Sequence, residues 1–263
     1  MFNFCSLYSG SSGNSLLVQS DNTNILVDTG ESARKIENAL SSIDVSAEKI
    51  DAIIITHEHI DHVKSLGTLS KKYNIPVYAT DGTWASMQDQ SQKIDDSLKH
   101  IITPSTELNI GKLIIDPFSI PHDATNPCGF NIKYDNKQIS IATDLGHVTN
   151  EILEKLEPSS FILLESNYDP EILKFSKYPY YLKKRISGEY GHLSNIEAGK
   201  LISNLSKTNL KSVMLGHLSK ENNFPELAYK TVADELINQN CDLSKIELNV
   251  AARDKRSKII KIW

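Results

Sequence analysis

Short runs of apolar, mostly β-branched residues alternate along this chain with turn-forming and amphipathic stretches. The first 30 residues contain three such runs, within "FNFCSLYS", "LLVQS" and "ILVDTG", and the turn-rich segments "GSSGNS" and "DNTN" separate them. This pattern predicts strands joined by tight turns. Residues 31–42 then carry apolar side chains at helical spacing, and the buried strand "DAIIIT" follows.

The same alternation continues to the end of the chain. Strands are predicted for "PVYAT", "KLIIDPFSIPHD" and "GFNIKYDNKQISIATD", and the last of these turns as a hairpin at Asp135-Asn136. Helices then alternate with the strands "FILLES" and "SVMLG", and the chain closes in "KIELNVA" and "SKIIKIW". We find no repeat, low-complexity segment or linker, so residues 1–263 are predicted to form one α/β domain of two packed sheets with helices outside.

Composition and charge indicate where in the cell the protein works and which binding partners it has. The chain has 28 basic and 33 acidic residues, a net charge of −5, so its overall charge does not indicate nucleic-acid binding. Cys5, Cys128 and Cys241 are widely separated and form no CxxC pair, which suits a reducing cytosol. No signal peptide is evident, and no apolar stretch approaches the roughly 18 residues of a membrane span. We therefore expect a cytoplasmic protein without membrane contact, and the sequence leaves its oligomeric state open.

The segment "HEHIDH", directly after the strand "DAIIIT", is the densest cluster of polar chemistry in the chain. His57 and His59 are two residues apart, so an extended or turning backbone points both imidazoles the same way. Asp61 and His62 follow one turn later and can face the same pocket. Neutral imidazole and carboxylate are ligands that zinc and similar metals prefer. The spacing is not that of an HExxH helix, because Asp61 stands four residues after His57.

These residues resemble the HxHxDH signature of the metallo-β-lactamase superfamily. Later motifs of that superfamily follow in order, in "SIPHDATNPCGF", "SIATDLG" and "LGHLSKENN". The resemblance implies a four-layer αββα sandwich that holds two divalent metal ions, zinc or manganese, with iron also compatible. It assigns one ion to His57, His59 and His122, the second to Asp61, His62 and His217, and a bridging position to Asp144. Superfamily members that reduce oxygen at a di-iron site typically carry glutamate at the position of His59, so histidine there favours a hydrolytic centre.

A centre of this kind suits an anionic substrate and makes hydroxide available near neutral pH. Hydrolysis of a phosphodiester by a hydroxide bound to both metals fits well, and Asp61 is the residue expected to orient or deprotonate the water. Lactones, thioesters and β-lactams fit the same metal core. The core alone therefore leaves the substrate open.

The segment "GEYGHLSNIEAGKLISNL" bears on the substrate. Ser194 and Glu197 form an S-x-x-E capping box that predicts a helix start, with His192 two residues before it. The residues alone explain His192 equally well as a helix-entry residue. The phosphodiesterase branch of the superfamily, which includes the tRNA 3′-processing endonucleases, has a similar segment that supplies a histidine beside the metals. This resemblance implies that His192 is a general acid and that Glu165, in "FILLESNYD", orients it.

Taken together with these motifs, "SLYSGSSGNS", "LLESNYDPEIL" and "YPYYLKKRISGEYGHLSN" resemble the YycJ/WalJ family of bacteria. That resemblance implies a single-domain DNA exonuclease acting from 5′ ends. The family commonly has histidine where this chain has Tyr168. A tyrosine there can hydrogen-bond a phosphate or a water, but it is neither an ordinary metal ligand nor an acid near pH 7.

Two basic segments are candidates for contacts with nucleic acid. Residues 174–190 carry five basic residues, one carboxylate and four tyrosines, which suits phosphate contact with base stacking. Lys183, Lys184 and Arg185, together with Tyr168, are the substrate contacts predicted here. A solvated helix face explains this segment equally well, and the same explanation is preferred for residues 253–261. The "GSSGNS" hairpin is either a phosphate-binding loop or, as we favour, a plain turn.

Three functions remain compatible with the sequence. The first is a two-metal phosphodiesterase, specifically a DNA exonuclease. The second is a small-molecule hydrolase of the lactonase, thioesterase, glyoxalase II or β-lactamase type. The β-lactamases are usually exported and glyoxalases usually add a C-terminal helical domain, features not evident here. The third is a regulatory protein that binds metal for stability, against which the presence of Asp61 and His192 argues.

Overall fold

Two seven-stranded sheets form the centre of the molecule. The computed structural model describes residues 1–262, and Trp263 lies outside the described residues. The strands of the first sheet are β1 (Asn3–Tyr8), β2 (Ser15–Ser20), β3 (Thr23–Val27), β4 (Ala52–Ile54), β5 (Val77–Ala79), β6 (Lys99–Ile101) and β14 (Ile260–Lys261). Those of the second are β7 (Leu108–Ile110), β8 (Leu113–Ser119), β9 (Cys128–Tyr134), β10 (Lys137–Ala142), β11 (Phe161–Glu165), β12 (Ser212–Gly216) and β13 (Glu247–Val250).

Each sheet contains a run of parallel strands. The spatial order is β14-β1-β2-β3-β4-β5-β6 in the first sheet and β13-β12-β11-β10-β9-β8-β7 in the second. Strands β3 to β6 are parallel to one another, and so are β10 to β13. The carboxyl ends of parallel neighbours lie at one edge of a sheet, which is where α/β proteins usually place their functional residues.

Ten α-helices accompany the sheets in the described part of the chain. They are α1 (Ala33–Ser41), α2 (Ile60–Val63), α3 (Leu66–Tyr73), α4 (Asp81–Ser86), α5 (Gln88–Ser91), α6 (Asn150–Leu156), α7 (Pro170–Phe175), α8 (Tyr180–Ile186), α9 (Asn195–Leu205) and α10 (Pro225–Asn238). Helices α1 and α3 cover the outer face of the first sheet, and α6, α9 and α10 cover that of the second. Within residues 1–262, no helix is long and apolar enough to cross a membrane.

The strands are apolar on both faces because both faces are buried. In β3, Ile25 and Val27 point into the core between the sheets, whereas Leu26 points toward the outer helices. Side chains alternate sides along a strand, so one apolar run serves two cores. Burying each such side chain stabilises the fold by about 1.5–3 kcal/mol. The four-layer αββα architecture predicted from the sequence is confirmed.

Two local predictions are also confirmed. The hairpin between β9 and β10 turns at Asp135, whose φ of 52° is the left-handed conformation that such turns require. The helix α9 begins with a capping box, in which the Ser194 hydroxyl accepts from the Glu197 N–H and the Glu197 carboxylate accepts from the Ser194 N–H. Of the predicted closing strand, only Ile260 and Lys261 pair with β1 as β14; residues 257–259 form no strand, and Trp263 lies outside the described residues.

Candidate metal centre

The seven predicted metal ligands come from separate parts of the chain and meet in one place. Each lies shortly after a strand: four after β4, and the others after β8, β10 and β12. The ligand atoms of His57, His59 and His122 lie within 4.8 Å of one another, and the same holds for Asp61, His62 and His217. Asp144 lies within the same distance of His57 and His62. The structure thus brings together two triads with a carboxylate between them.

Several atoms of the cluster are buried and make no hydrogen bond. These are the Nε2 atoms of His122 and His217 and the Oδ2 atom of Asp144. A buried polar atom without a partner costs about 1–3 kcal/mol, so native proteins rarely leave one. Two such histidine nitrogens lie here, Asp144 Oδ2 has only His62 Nε2 nearby, at 3.2 Å, and His57 Nε2 lies 3.0 Å from His59 Nδ1. Imidazole nitrogens and carboxylate oxygens aimed at a common point fit divalent metal ions.

Charges within the cluster set the protonation of its imidazoles. Burial, reinforced by the neighbouring His62, lowers the pKa of His57 well below its ordinary value, which keeps this imidazole neutral and ready to bind a metal. Burial also opposes charge on His62, but Asp144, Asp28 and Asp61 outweigh it and raise the pKa of His62 well above the ordinary range. Metal binding requires an imidazole to lose the proton on its ligating nitrogen, so a bound cation would replace the proton that His62 otherwise holds.

Asp28 supports the centre and was missed in the sequence analysis. Its Oδ2 accepts from His62 Nδ1 at 2.8 Å and from the Thr56 hydroxyl at 2.9 Å, and its Oδ1 accepts from the Thr56 N–H at 2.9 Å. A carboxylate on Nδ1 fixes the ring so that Nε2 is left for a metal. Its position in the sequence could have indicated this role, because Asp28 directly follows β3 just as each predicted ligand follows a strand.

Glu165 lies at the end of β11 and is fully buried. Its Oε1 lies 2.9 Å from His192 Nδ1, the contact predicted by resemblance, and also 2.7 Å from His217 Nδ1. Its Oε2 accepts from the N–H groups of Leu145 and Leu193. Burial opposes ionisation, but His192 and His217 outweigh it and lower the pKa of Glu165, so the carboxylate is charged. One carboxylate therefore orients two imidazoles.

The "GSSGNS" hairpin does lie against the centre. Asn14 Nδ2 is 3.1 Å from His62 Nε2, and the Asn14 N–H donates to the Asp61 carbonyl at 2.8 Å. Gly30 crosses at the same point, where a Cβ atom would lie 1.6 Å from that Asp61 carbonyl oxygen. A side chain at position 30 would clash, which explains the glycine in "VDTG". The close approach of the two backbones holds the HxHxDH segment against β2 and β3.

Tyr168 is buried, and within residues 1–262 its side chain makes no hydrogen bond to a predicted metal ligand. Its backbone pairs with Ser194, and its hydroxyl makes no hydrogen bond within residues 1–262. Burial, followed by Glu197 and Glu165, raises the pKa of this hydroxyl, so it stays protonated.

The three predicted basic contacts differ in their availability. Lys183 donates to the carbonyls of Lys174 and Ser176, both at 2.7 Å, and so stabilises the local structure of its own segment. Arg185 forms an ion pair with Asp123. Lys184 lies 5.1 Å from the centre of the Tyr180 ring, and within residues 1–262 its ammonium makes no ion pair. Lys184 is thus the most available of the three.

Comparison with known proteins agrees with this architecture. The family described as "Beta-lactamase superfamily domain" matches residues 23–217. The chain is 38% identical over 237 residues to "Exodeoxyribonuclease WalJ" of Streptococcus pneumoniae, covering 89% of this chain and 88% of that protein. It is 33% identical over 233 residues to "Exodeoxyribonuclease YycJ" of Bacillus anthracis, with the same coverages of 89% and 88%.

Solved structures resemble the chain in fold. The metallo-β-lactamase fold protein YhfI from Bacillus subtilis superposes with a TM-score of 0.69 at 18% identity, covering 97% of this chain and 99% of that one. The short form of human tRNase Z gives a TM-score of 0.68 at 15% identity, with 99% of both chains covered. At such low identity the likeness shows the fold alone.

Proposed function

Since the chain belongs to the metallo-β-lactamase superfamily, we propose that it is a metal-dependent DNA exonuclease that works from the 5′ end of a strand. Its similarity to proteins named exodeoxyribonucleases supports the substrate class. The observation that carries the proposal is the Glu165 carboxylate, which holds His217 inside the centre and His192 beside it. A histidine placed in this way is suited to protonating the oxygen that leaves a phosphodiester.

We assign the ligand atoms to two ions. His57, His59 and His122 would hold one, Asp61, His62 and His217 the second, and Asp144 would contact both. When bound, zinc or manganese ions would supply Lewis acidity that activates water and neutralises charge on a phosphate. The donor set, imidazole and carboxylate, suits either metal.

Three side chains of the centre are partly exposed, those of His59, Asp61 and His192, and they define its mouth. Asp61 is 22% exposed and His192 is 21% exposed, whereas Asp144 is only 3% exposed. We assign Asp61 the orientation of the attacking water. Since Glu165 occupies His192 Nδ1, the Nε2 proton is the one that passes to the leaving oxygen as the P–O bond breaks.

A surface beside this mouth suits a nucleic-acid strand. Phe175, Tyr180, Tyr181 and Tyr190 are between 60% and 77% exposed. Outside residues 174–190, which we call the aromatic arm, no Phe or Tyr within residues 1–262 is more than half exposed. Exposed rings interleaved with lysines favour base stacking combined with phosphate contact.

The arm is fixed to the metal centre at its end. The Tyr190 carbonyl accepts from the Asp123 N–H at 3.0 Å, and the Gly191 carbonyl accepts from His122 Nδ1 at 3.1 Å. The second of these bonds orients a predicted metal ligand. A strand stacked on the arm would therefore lead toward the metals.

Cleavage of end-labelled nucleic acid tests the proposal. Metal-stripped protein refilled with Zn²⁺ or Mn²⁺ would be offered single- and double-stranded DNA and RNA, each labelled at the 5′ or the 3′ end, beside an Asp61→Ala variant. We expect metal-dependent release of nucleotides from DNA, with the 5′ label lost first, and no release by the variant. A thioester and lactone panel runs in parallel. Turnover of a member of that panel while DNA survives would replace the nuclease with a small-molecule hydrolase.

A further inference from the structure

Four neighbouring parallel strands of the second sheet each deliver a polar side chain at their carboxyl ends. Asp144 follows β10, Glu165 ends β11, and His217 follows β12. The next strand, β13, is parallel to β12 and ends at Val250, three residues before Arg253. The first three side chains belong to the metal centre described above. Arg253 follows β13, the outermost strand at this end of the sheet, so it lies at the same edge, but it has no role in that centre.

Arg253 lacks the partners that a partly buried arginine normally has. Its Nη2 atom donates to the Leu218 carbonyl at 3.1 Å, while its buried Nε–H has no partner. Within residues 1–262 the guanidinium forms no ion pair with a carboxylate. A guanidinium presents five donors and matches the oxygens of a phosphate. The Nη1 atom also makes no hydrogen bond within residues 1–262 and is not buried, so this end of the guanidinium is open to an anionic ligand.

The tip of the "GSSGNS" hairpin lies beside Arg253. A Cβ atom on Gly10 would lie 3.1 Å from both Cγ and Nε of Arg253, so the arginine passes directly over this glycine. The turn is closed by a bond of 3.0 Å from the Gly13 N–H to the Gly10 carbonyl. Ser11 and Ser12, between them, are exposed, and neither their N–H groups nor their hydroxyls make a hydrogen bond within residues 1–262. Free amides on a turn commonly bind anions.

This corner is connected to the metal centre by two hydrogen-bonding contacts. The Ser9 hydroxyl accepts from the His217 N–H at 3.0 Å, and Asn14 Nδ2 lies 3.1 Å from His62 Nε2. Ser9 and Asn14 flank the hairpin tip on either side in the sequence. The tip is thus held next to the side of the cluster formed by Asp61, His62 and His217.

We infer that Arg253, Ser11 and Ser12 form a phosphate-binding site, here called the phosphate cradle, which holds a phosphate of the substrate strand other than the one being cleaved. The inference rests on the proposed nuclease function and adds a second contact point to it. One guanidinium, two backbone amides and two hydroxyls supply donors for a tetrahedral anion, and the nearby Glu31 carboxylate, which lies against Gly13, is paired with Lys35. The cradle would set how the strand is placed before cleavage.

The test compares Arg253→Gln with Arg256→Gln in the metal-loaded protein. Both variants lose one positive charge, but Arg256 is hydrogen-bonded to Ser42 and to the Ser257 carbonyl and belongs to neither site. The substrates are a 5′-phosphorylated oligothymidylate, its 5′-hydroxyl counterpart and bis(p-nitrophenyl) phosphate, which has no second phosphate. Metal content is measured for each variant, and Arg253→Lys shows whether charge alone suffices.

We expect Arg253→Gln to raise KM for the oligonucleotide about tenfold, as the loss of a charge-assisted contact implies. Its kcat/KM should fall further for the oligonucleotide than for bis(p-nitrophenyl) phosphate, and Arg253→Lys should be intermediate. A larger effect with the 5′-phosphorylated strand would identify the terminal phosphate as the ligand, and equal effects an internal one. Equal KM changes in Arg253→Gln and Arg256→Gln would overturn the cradle.

Failure of the proposed function is distinguishable from failure of the cradle. If the metal-loaded wild-type protein cleaves no nucleic acid, the nuclease proposal fails. The dissociation constants of the same oligonucleotides, measured by fluorescence anisotropy, then decide the cradle separately. Weaker binding by Arg253→Gln than by Arg256→Gln supports it, and equal binding overturns it.

Discussion

Glu165 Oε1 lies 2.7 Å from Nδ1 of His217, and this carboxylate accepts every hydrogen bond that it makes. The other three donors are His192 Nδ1 and the N–H groups of Leu145 and Leu193. An ionised carboxylate accepts all four bonds. This arrangement leaves Nε2 of both histidines free of Glu165, and that of His217 lies 3.6 Å from Asp61 Oδ2. It ties metal binding and proton donation to a single residue.

Replacing Glu165 by glutamine should weaken metal binding on the His217 side. The amide NH₂ of glutamine would face N–H donors whichever way it turned, so one pair of bonds would be lost. We expect metal affinity to fall about 10- to 100-fold, the usual cost of removing such a partner. Competition with a chromophoric chelator measures it, with Glu171→Gln, at an exposed ion pair, as the control. Wild-type affinity in Glu165→Gln would show that His217 needs no support.

Asp28→Asn tests the support of His62 in the same way. Asp28 has a φ of 61°, a left-handed conformation that asparagine also adopts, so the backbone should be unchanged. Its amide would face the Thr56 and His62 donors, and metal affinity should again fall about 10-fold or more. Isothermal titration of the metal-free protein with Zn²⁺ measures the change. The exposed Asp51→Asn is the matched control, and equal affinities in the two variants would contradict the assigned role.

His192→Gln separates proton donation from metal binding. We expect kcat for DNA to fall about 10²-fold or more, the usual contribution of a general acid. The loss should be smaller for bis(p-nitrophenyl) phosphate, because a nitrophenolate leaves without a proton. His147→Gln is the control, since His147 contacts the Glu189 carbonyl and lies outside the ligand groups. Equal losses on both substrates would mean that His192 does not act as the acid.

Gly30→Ala should disrupt the packing of the HxHxDH segment. The added methyl group would meet the Asp61 carbonyl oxygen at 1.6 Å, and backbone has to move to admit it. We expect a loss of about 3 kcal/mol or more in the free energy of unfolding, measured by urea denaturation. At Gly10 the same methyl meets only the Arg253 side chain at 3.1 Å, so Gly10→Ala should cost less than about 1 kcal/mol. Similar values for the two variants would refute the steric argument.

The layers and the meeting of the polar residues at one edge could be predicted for a physical reason, whereas the division of the ligands into two triads came from the resemblance to the superfamily. Strand ends in an α/β fold gather at one edge, so polar residues after apolar runs, such as Asp144 after "SIAT", mark positions that meet. Asp28, directly after β3, carries the same positional signal, but nothing in the sequence shows which residue such a side chain will contact. The pairing of Asp28 with His62 joins residues 34 apart, and the contact of Arg253 with the Leu218 carbonyl joins residues 35 apart. Neither contact has a periodic pattern to indicate it.

The charge of a segment predicted available basic side chains less well than position after a strand predicted the residues of the metal centre. Lys183 and Arg185 looked available in the sequence, but the first is bound to carbonyls of its own segment and the second to Asp123. Conversely, Arg253 belonged to a basic segment for which a solvated surface was the preferred explanation, yet its Nε–H is buried without a partner. A charge count cannot distinguish these cases, because each depends on which carbonyl or carboxylate the fold brings near.

DNA cleavage followed as metal is returned to the stripped protein tests the central claim most directly. Nucleotide release from a labelled single strand would be measured against equivalents of Zn²⁺ or Mn²⁺, with bound metal determined on the same samples. We predict no release without metal, and release that rises until two equivalents are bound per chain and then levels off. Full activity in the stripped protein, or metal bound at two equivalents with DNA left intact, would contradict it.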